Sequence, residues 1–351
     1  MLFFAGMPAA GSRDTEPRRA MRQAEFVFSP EQSPTEKCHA PTIAETPQGL
    51  VTAWYGGSRE GHPDTGIWVS LQTEGKWSVP VEIARGERNG RRMPCWNPVL
   101  AQLPDGPLLL FYKTGPSPKR WRGMMKRSYD GGLSWTDAEP LPDGIYGPAK
   151  NKPVLLDDGT LLCGGSTEAG GWKVHFERSP DRGKTWTRTE PIGARSRFDA
   201  IQPALFPLHD GQVQALCRSR QRVIVETRSF DYGKTWTPLI ATSLPNPNSG
   251  IDGMVLADGR RVLVYNDSRR RRTPLVVALS PDGVRWRKAA VLEVGRGPFS
   301  YPAVIQTKEG FVHITYTYQR RMIKHVVLDP SEWDAFLPSS AKEEERFKKG
   351  K

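Results

Sequence analysis

Ser229-Phe230-Asp231-Tyr232-Gly233-Lys234-Thr235-Trp236 decides the fold of this chain, because the octet does not stand alone. The same order of hydroxyl, aspartate, glycine and tryptophan returns in Ser128-Tyr129-Asp130-Gly131-Gly132-Leu133-Ser134-Trp135 and in Ser179-Pro180-Asp181-Arg182-Gly183-Lys184-Thr185-Trp186. Ser280-Pro281-Asp282-Gly283-Val284-Arg285-Trp286 is a fourth copy, one residue short, and Gly75-Lys76-Trp77 is an eroded fifth. Trp135, Trp186, Trp236 and Trp286 are separated by 51, 50 and 50 residues. A constant period of that length marks an array of one supersecondary unit. The turn's chemistry is structural. Its aspartate can accept backbone N–H bonds inside a hairpin, its glycine supplies a positive φ, and its tryptophan packs between sheets.

A second periodic signal runs out of phase with the first. Six stretches read polar residue, Pro or Gly, apolar strand, tight turn, apolar strand. They are Ala40-Pro41 to Gln48-Gly49, Asn97-Pro98 to Asp105-Gly106, Lys152-Pro153 to Asp158-Gly159, Gln202-Pro203 to Asp210-Gly211, Asp252-Gly253 to Asp258-Gly259, and Tyr301-Pro302 to Glu309-Gly310. Asp-Gly between apolar runs is a strong hairpin signal. Six hairpins, each followed by a strand pair carrying the tryptophan turn, predict an all-β, six-bladed β-propeller of four-stranded antiparallel blades. It is expected over 25–330 as a single domain, between a disordered leader at 1–24 and a short helix with a charged tail at 331–351. The helix is expected from Glu332 to Leu337.

Bulk composition agrees. Gly 34, Pro 31 and Trp 11, without a long Ala/Leu/Glu/Lys stretch, fit many short strands joined by turns. No apolar run approaches the roughly 20 residues of a membrane span, so no membrane partner is expected. Met1 to Ala10 is mildly apolar but lacks a basic n-region and runs into the charged stretch Arg13 to Arg22. It reads as a leader, consistent with an alternative start at Met21, and a cytoplasmic protein is expected. Cys38, Cys95, Cys163 and Cys217 have neither a disulfide framework nor CxxC zinc spacing, and reduced thiols are expected. The net charge of +12 raises a nucleic-acid reading. The basic residues are spread along the chain, however, with only Arg269 to Arg272 and Lys348, Lys349 and Lys351 clustered. An anionic small substrate fits that balance, and no nucleic-acid partner is expected.

The phase of the two signals points to one face. If each first strand runs down the central channel, its start lies at one mouth and its Asp-Gly turn at the other. First-strand starts then bring His39 with Ala40, Trp96 with Asn97, Asn151 with Lys152, Gln202, Asp252 and Tyr301 to that mouth. Second-strand ends and the loops after them add Arg59, Glu60, His62, Asp64, Lys113, Glu168, Arg218, Asn266, Arg271, Arg272, Tyr318 and Arg321. A concave mouth with convergent polar groups is the natural place for a site.

The Ser-x-Asp-x-Gly-x-x-Trp turns resemble the Asp-box of the sialidase superfamily, and blade number and motif phase resemble it from Lys37 to Pro330. That resemblance implies an arginine triad for a substrate carboxylate, a tyrosine nucleophile activated by a glutamate, and an aspartate acid/base. Tyr301 of Ser300-Tyr301-Pro302 looks like the nucleophile, and Asp64 of Gly61-His62-Pro63-Asp64 like the acid/base. Arg218 matches the second triad arginine, and Arg271 and Arg272 are both candidates for the third. Two positions depart from the family pattern. His39 stands where the first arginine is expected, and Gln202 where the glutamate is expected. A glutamine cannot take the phenol proton.

The expected catalytic set is therefore Tyr301, Asp64, Gln202 and His39. The expected substrate-binding set is Arg218, Arg271, Arg272, Arg59, Asn97, Lys152 and Asp252. Three functions remain open. One is a sialidase-like hydrolase of an anionic glycan. A second is a uronic-acid lyase, with Arg218 or Lys152 neutralising the carboxylate and His39 and Tyr301 as base and acid. The third is a carbohydrate-binding propeller without chemistry. No cofactor or metal is expected.

Overall fold

Continuous apolar runs such as Leu108-Leu109-Leu110-Phe111-Tyr112 are too dense for a sheet with one wet face. In the computed structural model, which describes residues 20–192 and 197–336, those five side chains are all buried. The strand is covered on both faces by neighbouring sheets, which removes the usual alternation. Ala215-Leu216-Cys217 and Val262-Leu263-Val264 behave alike.

Six antiparallel sheets form the ring. Blade one holds Lys37–Thr46, Gly49–Gly57, Gly66–Thr73 and Lys76–Trp77, with Val81–Ala84 as a further partner of Gly66–Thr73. Blade two holds Cys95–Gln102, Leu108–Thr114, Arg122–Ser128 and Glu139–Pro140. Blade three has a short inner strand, Val154–Leu155, then Leu161–Thr167, Lys173–Ser179 and Thr187–Arg188. Blade four holds Ala200–Pro207, Val213–Ser219, Val223–Ser229 and Ile240–Pro245, and blade five Asp252–Val255, Arg261–Asn266, Leu275–Ser280 and Arg287–Glu293. Blade six takes Phe299–Gln306, Val312–Tyr318 and Met322–Leu328 from the end of the chain and its outer strand, Met21–Phe26, from the beginning.

That last pairing corrects the expected leader. Residues 21–24 are not part of a tail: Gln23 pairs with Val327, Ala24 with Val326 and Glu25 with His325. Glu25 also accepts hydrogen bonds from Trp77 Nε1 at 2.9 Å and Gln72 Nε2 at 3.1 Å, tying blade six to blade one. Outer-strand pairing between distant parts of the chain leaves no local sequence pattern, so the strand was not legible. Residues 1–19 of the expected leader lie outside the described residues. At the other end, Pro330–Phe336 forms a 3₁₀ helix whose Trp333 is fully buried; Leu337 and the expected charged tail lie outside the described residues.

Among the described residues the core divides into seven apolar clusters, one in each of five interfaces between adjacent blades and two where blade six meets blade one. Tryptophan turns supply part of five of the six interfaces, and between blades five and six the buried tryptophan is Trp333 of the terminal helix. Trp236 stacks on Phe176 of blade three at 3.4 Å between ring centroids, and Trp186 and Trp286 meet Phe111 and Phe206 edge-on. Eroded though its turn is, Trp77 packs edge-on against His325 of blade six and completes the pattern. All four cysteines are buried and free, and burial pushes their thiols upward, Cys95 to about 12.

Candidate functional site

Four first strands open with the same irregularity. Ala40, Asn97, Gln202 and Tyr301 each precede a proline and have φ of 52°, 37°, 58° and 57°. Pairing with the second strand slips at each of these places. Proline lacks the N–H that a ladder needs, so the chain bulges there and re-aims the preceding side chain. Non-glycine residues seldom adopt such φ values, and their recurrence at one level of the channel is strain concentrated at a site. Lys152 and Asp252, at the corresponding places in blades three and five, are not bulged in this way.

Tyr301 is the centre of the mouth. Arg218 Nη1 donates to its phenol oxygen at 2.8 Å and to Gln202 Oε1 at 3.2 Å, while Gln202 Nε2 lies 3.5 Å from the same phenol. Asn248 fixes the rest of the guanidinium. Its Oδ1 accepts from Arg218 Nε at 3.0 Å and Nη2 at 2.7 Å, and its carbonyl accepts from Nη2 at 2.7 Å. Trp172 roofs Arg218, with Cζ 5.1 Å from the ring centroid. Two further cations approach Tyr301: Arg272 Cζ at 5.8 Å and Lys150 Nζ at 6.0 Å from the ring centroid. Three positive groups around one phenol make the mouth a natural seat for an anion.

His39 flanks the other side of Tyr301, with ring centroids 4.1 Å apart, and is 2% exposed. Its Nδ1 lies 2.9 Å from Thr317 Oγ1, and its buried Nε2 has no partner among the described residues. Burial, reinforced by Arg320, Arg272, Arg218 and Lys150, holds its pKa well below the ordinary imidazole value, so the ring is neutral.

Beneath Tyr301 lies a buried lysine that sequence reasoning passed over. Lys150 Nζ donates to Ile251 O at 3.2 Å and to Pro302 O, bridging the starts of blades five and six. Burial lowers its pKa to about 7, against the opposing pull of Asp252. Lys152 reaches across the channel to Asp252 Oδ2 at 3.1 Å, and the same carboxylate oxygen accepts from Val304 N at 2.9 Å. Asp252 Oδ1 is buried without a partner among the described residues.

The remaining expected residues separate into rim and scaffold. Asp64 stays within its own loop, with His62 Nδ1 2.9 Å from its Oδ1 and Ser58 N donating to that oxygen at 3.1 Å. Partial burial opposes its ionisation, but these two partners outweigh it and hold the carboxyl below the usual range. Arg59 is exposed at the edge of a cavity of about 210 Å³ lined also by His39, Tyr55, Glu60 and Arg320. There Tyr55 OH donates to Glu60 Oε1 at 2.8 Å, and Arg320 pairs with Glu60 Oε2. Arg271 is exposed and touches Ser268 through its backbone, whereas its neighbour Arg272 faces Tyr301.

Asn97 was expected to bind substrate, but its Nδ2 donates to Ala149 O at 3.0 Å. Asn151 donates likewise to Gln202 O at 3.1 Å and Asn266 to Phe299 O at 2.9 Å, so these amides staple successive blades. Lys113, expected on the rim, is fully buried against Pro148 O. Tyr55, Lys150, Trp172, Asn248 and Arg320 are the site residues that the sequence reading missed. Arg320 had a visible signal, since Gln319-Arg320 forms the turn after Tyr318; the neighbouring arginine was expected instead.

The sequence profile of the BNR repeat-like domain matches residues 48–314. No curated protein matches the chain in sequence. Among solved structures, a protein of unknown function from Dyadobacter fermentans is 19% identical, with a TM-score of 0.73 over 88% of this chain and 98% of that one. A Hadza microbial sialidase is 17% identical, with a TM-score of 0.75 over 88% of this chain and 68% of that one. The intramolecular trans-sialidase from Ruminococcus gnavus is 12% identical, with a TM-score of 0.71 over 86% and 96%. At these identities the likeness is one of fold.

Proposed function

The chain belongs to the BNR repeat-like domain family and is a divergent member of the sialidase superfamily, and from that premise we propose that it cleaves a glycosidic bond next to an anionic, sialic- or uronic-acid sugar. The observation that carries this reading is the 2.8 Å hydrogen bond from Arg218 to the Tyr301 phenol, with Arg272 and Lys150 close to the same ring. Tyr301 serves as nucleophile or oxocarbenium stabiliser, Arg218 and Arg272 hold the sugar carboxylate, and Asp64 is the acid/base. With an amide at Gln202, Tyr301 acting as nucleophile releases its phenol proton to water, whereas as oxocarbenium stabiliser it keeps that proton and water attacks the sugar. Asp64 is ionised in its loop and takes up a proton once a bound sugar covers it.

Incubation with aryl glycosides of sialic and uronic acids, and with acidic oligosaccharides, tests the reading. Release of the acidic sugar without an ultraviolet-absorbing product supports hydrolysis. An unsaturated, absorbing product transfers the site to elimination, and no turnover over days rejects glycosidase activity. Gln202 favours one second reading, a propeller that binds acidic sugars without cleaving them, since an amide cannot remove the phenol proton. Calorimetric binding with no turnover is its signature.

A further inference from the structure

The hydrogen-bond arithmetic around His39 assigns a proton that is not drawn. Thr317 Oγ1 is fully buried and has two neighbours, Ala40 N at 3.1 Å and His39 Nδ1 at 2.9 Å. Ala40 N can only donate. If Nδ1 also carried a proton, Thr317 would accept twice and its own hydroxyl proton would have no acceptor among the described residues. Nε2 would then be a second orphan, a buried acceptor with nothing to accept. If Thr317 donates to Nδ1 instead, every group on that side is satisfied and one orphan remains, an Nε2–H. Leaving a buried polar group unmade is the costly outcome, so the arrangement with one orphan prevails over the one with two.

The residue that carries this donor also lines a cavity. His39 forms the wall between Tyr301 and the 210 Å³ cavity edged by Tyr55, Glu60 and Arg320. Arg320, Arg272, Arg218 and Lys150 all act on the ring as positive charges, which keeps it neutral and makes an anionic oxygen the acceptor best suited to the spot. Tyr55 and the Glu60 carboxylate face it from blade one, but both are already engaged with each other. We propose that His39 binds substrate as a neutral donor, giving its Nε2–H to a carboxylate oxygen of the acidic sugar, and that it is not a base. The carboxylate part rests on the function proposed above; the tautomer does not.

Long-range ¹H–¹⁵N NMR of the full chain, with histidines ¹⁵N-labelled, reads the tautomer directly, using His39→Ala to assign the signal. The ligand-free protein is expected to show Nε2–H and no titration of this ring in the ordinary histidine range. Sodium glucuronate and N-acetylneuraminate are expected to shift that signal, and the methyl ester of glucuronate to leave it in place. His39→Ala should weaken binding of the acids about tenfold, and His39→Gln, which keeps an N–H donor, should recover most of the loss. An Nδ1–H ring in the free protein overturns the inference whatever the enzyme does. An Nε2–H signal that ignores both acids while they bind at Arg218 overturns the carboxylate assignment and leaves the proposed function standing.

Discussion

On the face that carries the tryptophan turns, four blades repeat one hydrogen-bond set almost atom for atom. Gly132, Gly183, Gly233 and Gly283 N–H groups donate to the serine Oγ of their turns at 2.7, 2.6, 2.9 and 2.7 Å. Each tryptophan Nε1 then donates to the carbonyl of the same glycine at 3.1–3.2 Å. On the opposite face the four bulged positions hold Ala40, Asn97, Gln202 and Tyr301, and no two are alike. Repetition there survives in the backbone alone. The contrast teaches that this repeat spends its identical residues on making blades, and that the candidate site lies where the backbone repeats but the side chain does not.

The largest expected effect is on the unrepeated face. Tyr301→Phe should lower kcat at least about thousandfold while leaving the melting temperature almost unchanged; retained turnover would remove the phenol from the chemistry. Arg218→Met should weaken acidic-sugar binding about a hundredfold, because it removes the buried guanidinium that meets the phenol and that the proposed function gives to the sugar carboxylate. If neutral sugars lost as much affinity as acidic ones, the residue would be scaffold and the contrast between the faces would blur.

Substitution on the repeated face should do the reverse. Asp231→Ala strips acceptors from Thr235 N at 2.9 Å, Thr235 Oγ1 at 2.6 Å and Ser229 Oγ at 2.8 Å. A loss of about 2 kcal/mol and a fall of about 4 °C in Tm are expected, with kcat/KM unchanged. A kinetic effect larger than the stability effect would break the division of labour.

The smallest effects are in pH dependence: on both faces stability rises with pH, in an acid window for the turn carboxyls and an alkaline one for the buried amines. Hydrogen bonds from Ser134 and Thr185 hold Asp130 and Asp181 down at about 2. Depressed carboxyls contribute stability that is complete above about pH 4 and is lost as pH falls toward 2. Burial lowers Lys150 to about 7 and Lys113 to about 8 from 10.5, so the unfolded chain binds more protons between those values and 10.5. Stability should therefore climb from neutral toward pH 10, and Lys150→Met should flatten part of that climb. A Tm profile falling across that window in the wild type would contradict the burial of both amines.

How much the sequence revealed follows the same line. The tryptophan turns and Asp-Gly hairpins are local and periodic, so blade number and the position of the mouth were legible. Strand phase brings Tyr301, Gln202, Arg218 and His39 to one level, and it brings Arg272 there too without separating it from Arg271. Asn97 and Lys113 share that phase, yet their side chains turn to the next blade's carbonyl oxygens, a choice set by inter-blade spacing. Lys150 lies two residues before a recognised strand start, and only the approach of blades five and six explains it. Glu25 was hidden for the same reason at larger scale, since its partners sit 47 to 300 residues away.

The most direct test is a crystal soaked with a mixture of acidic monosaccharides. The account predicts a sugar over the Tyr301 ring with its carboxylate on Arg218 and Arg272. A sugar seated only at the other mouth of the channel, or none at saturating concentration, would contradict it.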